Sequence, residues 1–197
     1  MRRRRPISNT CHYDWGELKS SVEGCTLCKL SKTRTHPAFG EGDPKATVMF
    51  IGEGPGADED RLGRPFVGRA GQLLDRMLAA IDIPRQDVYI ANVVKCRPPQ
   101  NRNPEPDEAA ACLPYLRGQF ALVRPKIVVC LGSVAMKHVM DPDGKITRDR
   151  GKWVEKKGVY FMATYHPAAL LRDESKKREA WADMQALRDK IRELSDN

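Results

Sequence analysis

Residues 127–131, Ile-Val-Val-Cys-Leu, run apolar without a polar residue between them. A strand with one face in water alternates apolar and polar side chains. An unbroken run of this length suits a strand covered on both faces, as in a parallel sheet. Working outward, residues 46–51 (ATVMFI), 88–92 (VYIAN) and 159–163 (VYFMA) read the same way. Helical patterns lie between and after them. Residues 71–81 place Leu74, Leu78 and Ile81 at i, i+4 and i+7, and residues 133–140 suit a short helix. Residues 107–123 have helical composition but contain Pro114, so a kink or two abutting helices are expected there. Residues 174–194 carry Trp181, Met184, Leu187, Ile191 and Leu194 on one stripe, an amphipathic closing helix. Strands alternating with helices predict an α/β layered fold around a mainly parallel sheet. Such sheets bind ligands at the carboxyl ends of their strands, so the segments after Ile51, Asn92, Leu131 and Ala163 are the expected site.

The 197 residues suit one domain, with 41% apolar and 30% charged residues excluding wholesale disorder. No apolar run reaches the roughly 18 residues of a membrane span. The start, Met-Arg-Arg-Arg-Arg-Pro, has no apolar core of a secretory signal, so a cytoplasmic location is expected. Residues 1–10 read as a flexible basic extension and 11–197 as the single domain. The net charge of +8 points to a polyanion partner, but Arg2 to Arg5 supply half of it. The remainder is unevenly spread: residues 41–84 hold five basic against eight acidic residues, whereas 85–128 and 129–171 each hold seven against four. Lys145, Arg148, Arg150, Lys152, Lys156 and Lys157 form a basic run suited to phosphates or simply to solvent.

Six cysteines in a reducing compartment point to metal or catalysis rather than disulfides. Cys25 and Cys28 form a C-x2-C pair, and Cys96 and Cys112 follow with fifteen residues between them. Four thiolates complete either a tetrahedral zinc site or a cubane iron–sulfur cluster, and spacing does not choose. Cys130 lies in the core run and reads as a small buried hydrophobe, and Cys11 as a surface thiol. A thioredoxin-type redox pair would open a helix after a strand, whereas Cys25 precedes every strand.

After Ile51 come Gly52-Glu53-Gly54-Pro55-Gly56 and the acids Asp58, Glu59 and Asp60. The glycines permit close backbone approach to a ligand, but the acids and Pro55 exclude a dinucleotide fingerprint or phosphate loop. Phe66 in this loop is either tucked under itself or a platform for a planar base. Asn92, at a strand end, offers a donor and an acceptor side by side. That pair matches the imide edge of uracil, or it caps its own turn. The segment 95–104 is basic and proline-stiffened. His166 stands before Pro167 at a helix start, on the sheet edge where the site is expected.

The segments GEGPGADEDRLGRPFVGRAGQLLD (52–75), ANVVKCRPPQNRNPEPDEAAACLPYL (91–116) and RGKWVEKKGVYFMATYHPAALLR (150–172), with the cysteine pattern, resemble the family 4 uracil-DNA glycosylases, an iron–sulfur branch of their superfamily. The acid at Glu53 is a departure from family 5, and no basic insertion follows Phe66 or Gly68 as in the branch that bonds covalently to uracil. The resemblance implies a three-layer α/β/α fold around a four-stranded mainly parallel sheet with an iron–sulfur loop. It implies a [4Fe–4S] cluster on Cys25, Cys28, Cys96 and Cys112. It also implies hydrolytic excision of uracil, the product of cytosine deamination, from single- or double-stranded DNA. By this resemblance Asn92 reads uracil, Phe66 stacks on it, and Gly52, Glu53 and Gly54 wall the pocket. His166 is the catalytic-motif histidine; Glu53, Glu59 and Asn101 are candidates for handling water or sugar; Arg97, Arg102 and Arg172 would face DNA. A monomer is expected, with a replication clamp or repair proteins as further partners. The rival reading is a non-catalytic module, stapled by zinc or a cluster, that binds nucleic acid; it has no need of Glu53, Asn92 and His166 at three strand ends.

Overall fold

The computed structural model describes residues 14–196. Arg2 to Arg5 and Cys11 therefore lie outside the described residues. Asp14 opens α1 (Trp15–Glu23) with a reciprocal cap: its carboxylate accepts from the Glu17 N–H, and the Glu17 side chain accepts from the Asp14 N–H. Then follow β1 (Glu41–Gly42), β2 (Val48–Gly52), α2 (Ala57–Leu62), α3 (Arg69–Ala79) and β3 (Tyr89–Asn92). The chain continues through α4 (Pro106–Val123), β4 (Ile127–Leu131), α5 (Ser133–Val139), α6 (Ile146–Asp149), β5 (Val154–Lys156) and β6 (Val159–Thr164), and ends in α7 (Pro167–Arg172) and α8 (Lys177–Ser195).

The sheet has six strands in the order β1-β3-β2-β4-β6-β5. The four apolar runs are its parallel centre, β3-β2-β4-β6, with register pairs such as Gly52↔Asn92 and Leu131↔Thr164. The expectation of four strands is thus extended by two short antiparallel edge strands, β1 on β3 and β5 on β6. Both are short, partly or fully exposed and contain at most one apolar side chain, Val154, so no apolar run announces them.

Side chains alternate between the two faces of the central strands, and each face meets its own layer. Met49, Ile51, Ala91, Val128 and Cys130 pack with Leu18 and Val22 of α1, Leu116 of α4 and Met136 of α5. Val48, Phe50, Ile90, Val129 and Met162 pack with Leu74 and Leu78 of α3 and Met184 and Leu187 of α8. Three layers result, α/β/α, as expected. Helix α4 runs from Pro106 to Val123 as one helix through Pro114, rather than as two. In α8 the buried stripe is Ala180, Asp183, Met184 and Leu187, while Trp181 is 40% exposed. Asp183 takes the inward place because its carboxylate accepts from the Thr164 hydroxyl (2.6 Å) and pairs with Arg150. No helix among the described residues is long and apolar enough to cross a membrane.

Candidate active site

Strand order reverses at β2, since β3 lies on one side of it and β4 on the other. A crevice at the carboxyl ends of the strands is the consequence. A cavity of about 310 Å³ opens there, lined from five directions: Glu53 to Gly56 after β2, Asn92 at the end of β3, Phe66 before α3, Pro98 and Asn101 to Asn103 after β3, and His166, Ala168 and Arg172 of α7.

Asn92 is 1% exposed, and neither its Nδ2 nor its Oδ1 has a hydrogen-bond partner. Leaving both ends of a buried amide unpaired costs stability, so the fold pays for a group that a ligand can satisfy. Its position is fixed by backbone: Val93 N–H donates to the Gly52 carbonyl at 2.9 Å and Val94 N–H to the Glu53 carbonyl at 3.1 Å. A Cβ on Gly52 would stand 2.5 Å from Asn92 Oδ1 and 2.6 Å from Phe66 Cζ. Glycine there keeps the space between amide and ring open.

Phe66 is 5% exposed and sits at φ +52°, a left-handed conformation disfavoured for an aromatic residue. Gly71 permits it, since a Cβ there would fall 1.9 Å from the Phe66 carbonyl oxygen. The Phe66 and His166 rings lie 5.5 Å apart between centroids, tilted by 30°. Glu59 holds the same loop. One carboxylate oxygen accepts from the N–H groups of Val67 (2.9 Å) and Gly68 (2.8 Å), the other from Gly56 (3.1 Å).

His166 caps α7 with its ring: Nδ1 accepts from the Ala168 N–H at 3.1 Å. Burial, with the Arg172 charge adding to it, pulls the imidazole down to about 4. The ring is therefore neutral at pH 7, with its proton on Nε2. Glu53 moves the other way: burial raises its carboxyl above the ordinary range and Arg172 opposes the shift. Asn101 (φ +54°) lines the cavity, and its Oδ1 accepts from Arg97 Nε at 2.8 Å. Arg102 also lines it, with its guanidinium clamped by both oxygens of buried Glu108 at 2.7 and 2.8 Å. Of the three expected DNA-facing arginines, Arg172 and Arg102 reach the cavity wall, and Arg97 stands behind Asn101.

Cys96 and Cys112 are buried, Cys25 and Cys28 half-buried, and all four pack in one apolar cluster with α1 and α4. N–H groups point at three of the sulfurs: Arg34 Nη1 at Cys96 (3.0 Å), the Lys95 backbone at Cys112 (3.2 Å) and the Leu27 backbone at Cys25 (3.5 Å). Burial raises the Cys96 thiol, against the opposing Arg34 guanidinium, and pushes Cys112 up to about 12. Among the described residues, no three His, Cys, Asp or Glu side chains converge on a single point as one metal ion requires. Cys130 is a fully buried core thiol, as expected.

Sequence reasoning singled out neither Lys95 nor Gln119. Lys95 is 1% exposed, burial pulls it down to about 8, and its Nζ donates to the Asn92 carbonyl. Arg34 and Gly71 were equally silent, because a basic residue in a polar loop and a glycine in a helix carry no distinguishing pattern.

The family model described as the uracil DNA glycosylase superfamily matches residues 39–185. The chain is 46% identical over 188 residues to the type-4 uracil-DNA glycosylase of Sulfurisphaera tokodaii, covering 91% of this chain and 84% of that one. It is 47% identical over 164 residues to that of Thermotoga maritima, covering 80% and 83%. It is 42% identical over 179 residues to that of Archaeoglobus fulgidus, covering 87% and 90%.

Proposed function

The chain belongs to the type-4 uracil-DNA glycosylases and is a hydrolytic DNA glycosylase acting on uracil; on that premise we propose how its residues divide the work. The observation that carries the assignment is the buried Asn92 amide with both polar ends unpartnered, beside Phe66 and His166 in one cavity.

A target nucleotide leaves the stack at a cost of a few kcal/mol, smaller for a U·G mismatch than for a Watson–Crick pair. Phe66 stacks on the flipped base. Asn92 accepts from uracil N3–H through Oδ1 and donates to O4 through Nδ2. Cytosine lacks the N3–H and presents an amino group at C4, so both contacts would be left unpaired, which a buried site penalises strongly. As the bond between C1′ and uracil N1 breaks, its electron pair goes to the base and charge collects on O2. His166 Nε2–H donates to that oxygen. Because Nδ1 is already held by the Ala168 N–H, the donor is aimed before the substrate arrives, as in an oxyanion hole. Water adds its oxygen to C1′ of the oxocarbenium-like sugar and gives one proton to Glu53, while the uracil anion takes a proton from solvent. Burial raises the proton affinity of this carboxyl, which favours its taking a proton from the attacking water. Asn101 orients the water or sugar through its amide nitrogen. Glu59 acts at one remove, by fixing the Phe66 loop through three backbone bonds. Arg172 and Arg102 contact the DNA backbone at the rim, Arg97 supports Asn101, and the enzyme works in the cytoplasm on nucleoid DNA.

Cys25, Cys28, Cys96 and Cys112 would hold a [4Fe–4S] cluster. The donor set fits: four sulfurs in an apolar pocket, with N–H groups aimed at three of them. Bound there, such a cluster would supply a structural tie: Cys25 and Cys28 before β1, Cys96 after β3 and Cys112 in α4 would be joined, bracing the Arg97 to Asn103 wall.

The test is incubation with a uracil-containing oligonucleotide followed by alkali, which cleaves abasic sites. Wild-type protein is expected to yield strand scission at uracil, and Asn92→Asp to lose preference for uracil over cytosine. An Asn92→Asp protein with wild-type preference would remove Asn92 from this role.

A further inference from the structure

Lys95 is a fully buried lysine for which the excision chemistry has no use. Its Nζ donates to the Asn92 carbonyl oxygen at 2.9 Å and to Gln119 Oε1 at 2.5 Å. Gln119 is itself buried in α4, and its Nε2 donates to the Phe39 carbonyl at 2.7 Å and the Tyr89 hydroxyl at 3.0 Å. The Lys95 backbone is pinned too, its N–H on Cys112 Sγ and its carbonyl accepting from the Ala38 N–H. One residue therefore joins α4, the segment before β1 and the end of β3.

The Asn92 amide has no hydrogen bond of its own, so its direction is inherited from the backbone that carries it. The chain after Asn92 is anchored to Gly52 and Glu53 by backbone bonds, but the Asn92 carbonyl is held by the Lys95 ammonium. Burying an ammonium is costly, and a methionine would fill the same space without that cost. What methionine cannot do is donate to the Asn92 carbonyl and Gln119 together.

We infer that Lys95 is a positioning residue for uracil recognition: its ammonium on the Asn92 carbonyl fixes the angle of the reading amide, and its bond to Gln119 locks that angle to helix α4. This rests on the reading of Asn92 as the base-recognising amide.

The experiment is a double-mutant cycle on the full-length protein as purified, read as kcat/KM for a uracil-containing oligonucleotide. Absorbance at about 400 nm serves as a check on the cysteine shell. Lys95→Met is expected to lower kcat/KM by about 10- to 100-fold in the wild-type background. In the Asn92→Ala background it is expected to cost less than about twofold. Equal losses in both backgrounds would mean general damage to the fold and overturn the inference, leaving Asn92 in its role. An Asn92→Ala protein as active as wild type would overturn the reading of Asn92, and this inference with it. If Lys95→Met fails to fold or loses its absorbance, Gln119→Leu runs the same cycle. Its loss must also vanish with Asn92→Ala, and a loss that persists overturns the inference.

Discussion

The backbone N–H of Ala168 donates to Nδ1 of His166 at 3.1 Å, which leaves Nε2 as the nitrogen that carries the proton of a neutral ring. The same burial that makes the ring part of the cavity wall pulls it down to about 4. In the unfolded chain a histidine titrates near 6.5. Between these values the unfolded state binds the extra proton, so the stability contributed by neutral His166 is complete above about pH 6.5 and is lost as pH falls toward 4. Activity should therefore show no step at 6.5 due to His166, and should fall only as its folded form protonates. His166→Ala should cost about 10²- to 10³-fold in the single-turnover rate, the usual scale for a preorganised donor at a developing anion. Ring nitrogen shifts measured by NMR against pH check the assignment; an Nδ1-protonated ring, or one titrating near 6.5, would contradict it.

Stability and activity should move in opposite directions at Asn92. Replacing an unpaired buried amide with an apolar group of similar size removes a desolvation cost rather than a bond. Asn92→Leu is expected to keep or raise the melting temperature by a few degrees while lowering kcat/KM on uracil at least 100-fold. Thermal unfolding and alkali-cleavage kinetics on the same preparation decide it. A clear drop in melting temperature would mean the amide has a structural partner in the folded protein.

Much of this arrangement was legible in the sequence, for definite reasons. The parallel strands announced themselves because burial on both faces forbids polar residues, as in residues 127–131. From them followed the sheet edge that gathers Gly52, Asn92 and His166. The edge strands Glu41–Gly42 and Val154–Lys156 were illegible because pairing with a formed neighbour holds them, not any pattern of their own. Trp181 fitted the helical stripe by spacing but lost its place to Asp183, whose partners Thr164 and Arg150 lie 19 and 33 residues away. Lys95 reads as a loop cation until the fold closes over it. The left-handed Phe66 depends on a local packing of its carbonyl against Gly71 in the first turn of α3, which a lone helical glycine does not announce.

Gly52→Ala tests the space between amide and ring. The added Cβ would stand 2.5 Å from Asn92 Oδ1 and 2.6 Å from Phe66 Cζ, both closer than real contacts allow. Ring and amide would have to part, and the slot a base would enter would be spoiled. Loss of at least about 100-fold in kcat/KM is expected, with weaker binding of free uracil by calorimetry. A protein that binds uracil normally would show the base sits elsewhere.

Glu59→Gln separates positioning from direct catalysis. Its carboxylate oxygens accept from three backbone N–H groups across two loops, and an amide NH2 in place of one oxygen turns an attraction into a donor–donor contact. The expected loss is about 1–3 kcal/mol of stability, with a melting temperature lower by several degrees. Excision should slow through a loosened Phe66 loop, and Phe66→Ala should then add little further loss. An unchanged melting temperature with kcat reduced by orders of magnitude would move Glu59 into contact with the reacting atoms.

Arg34 offers a test of the cysteine shell that does not depend on catalysis. Its guanidinium reaches Cys96 Sγ at 3.0 Å and is braced by the carbonyls of Glu23 and Cys25 at 3.0 and 2.9 Å. A cation donating to a thiolate stabilises the negative charge of a metal-bound sulfur, and partners of this kind typically matter 10- to 100-fold for metal affinity. Arg34→Met keeps the apolar stem and removes the donor. Absorbance at about 400 nm should then decay roughly 10-fold faster under a chelator, while Arg34→Lys, which restores a cation without the planar fork, recovers part of the difference. If Arg34→Met loses its absorbance no faster than wild type, the guanidinium serves only to tie the Glu23 and Cys25 carbonyls together, and the sulfur contact is incidental.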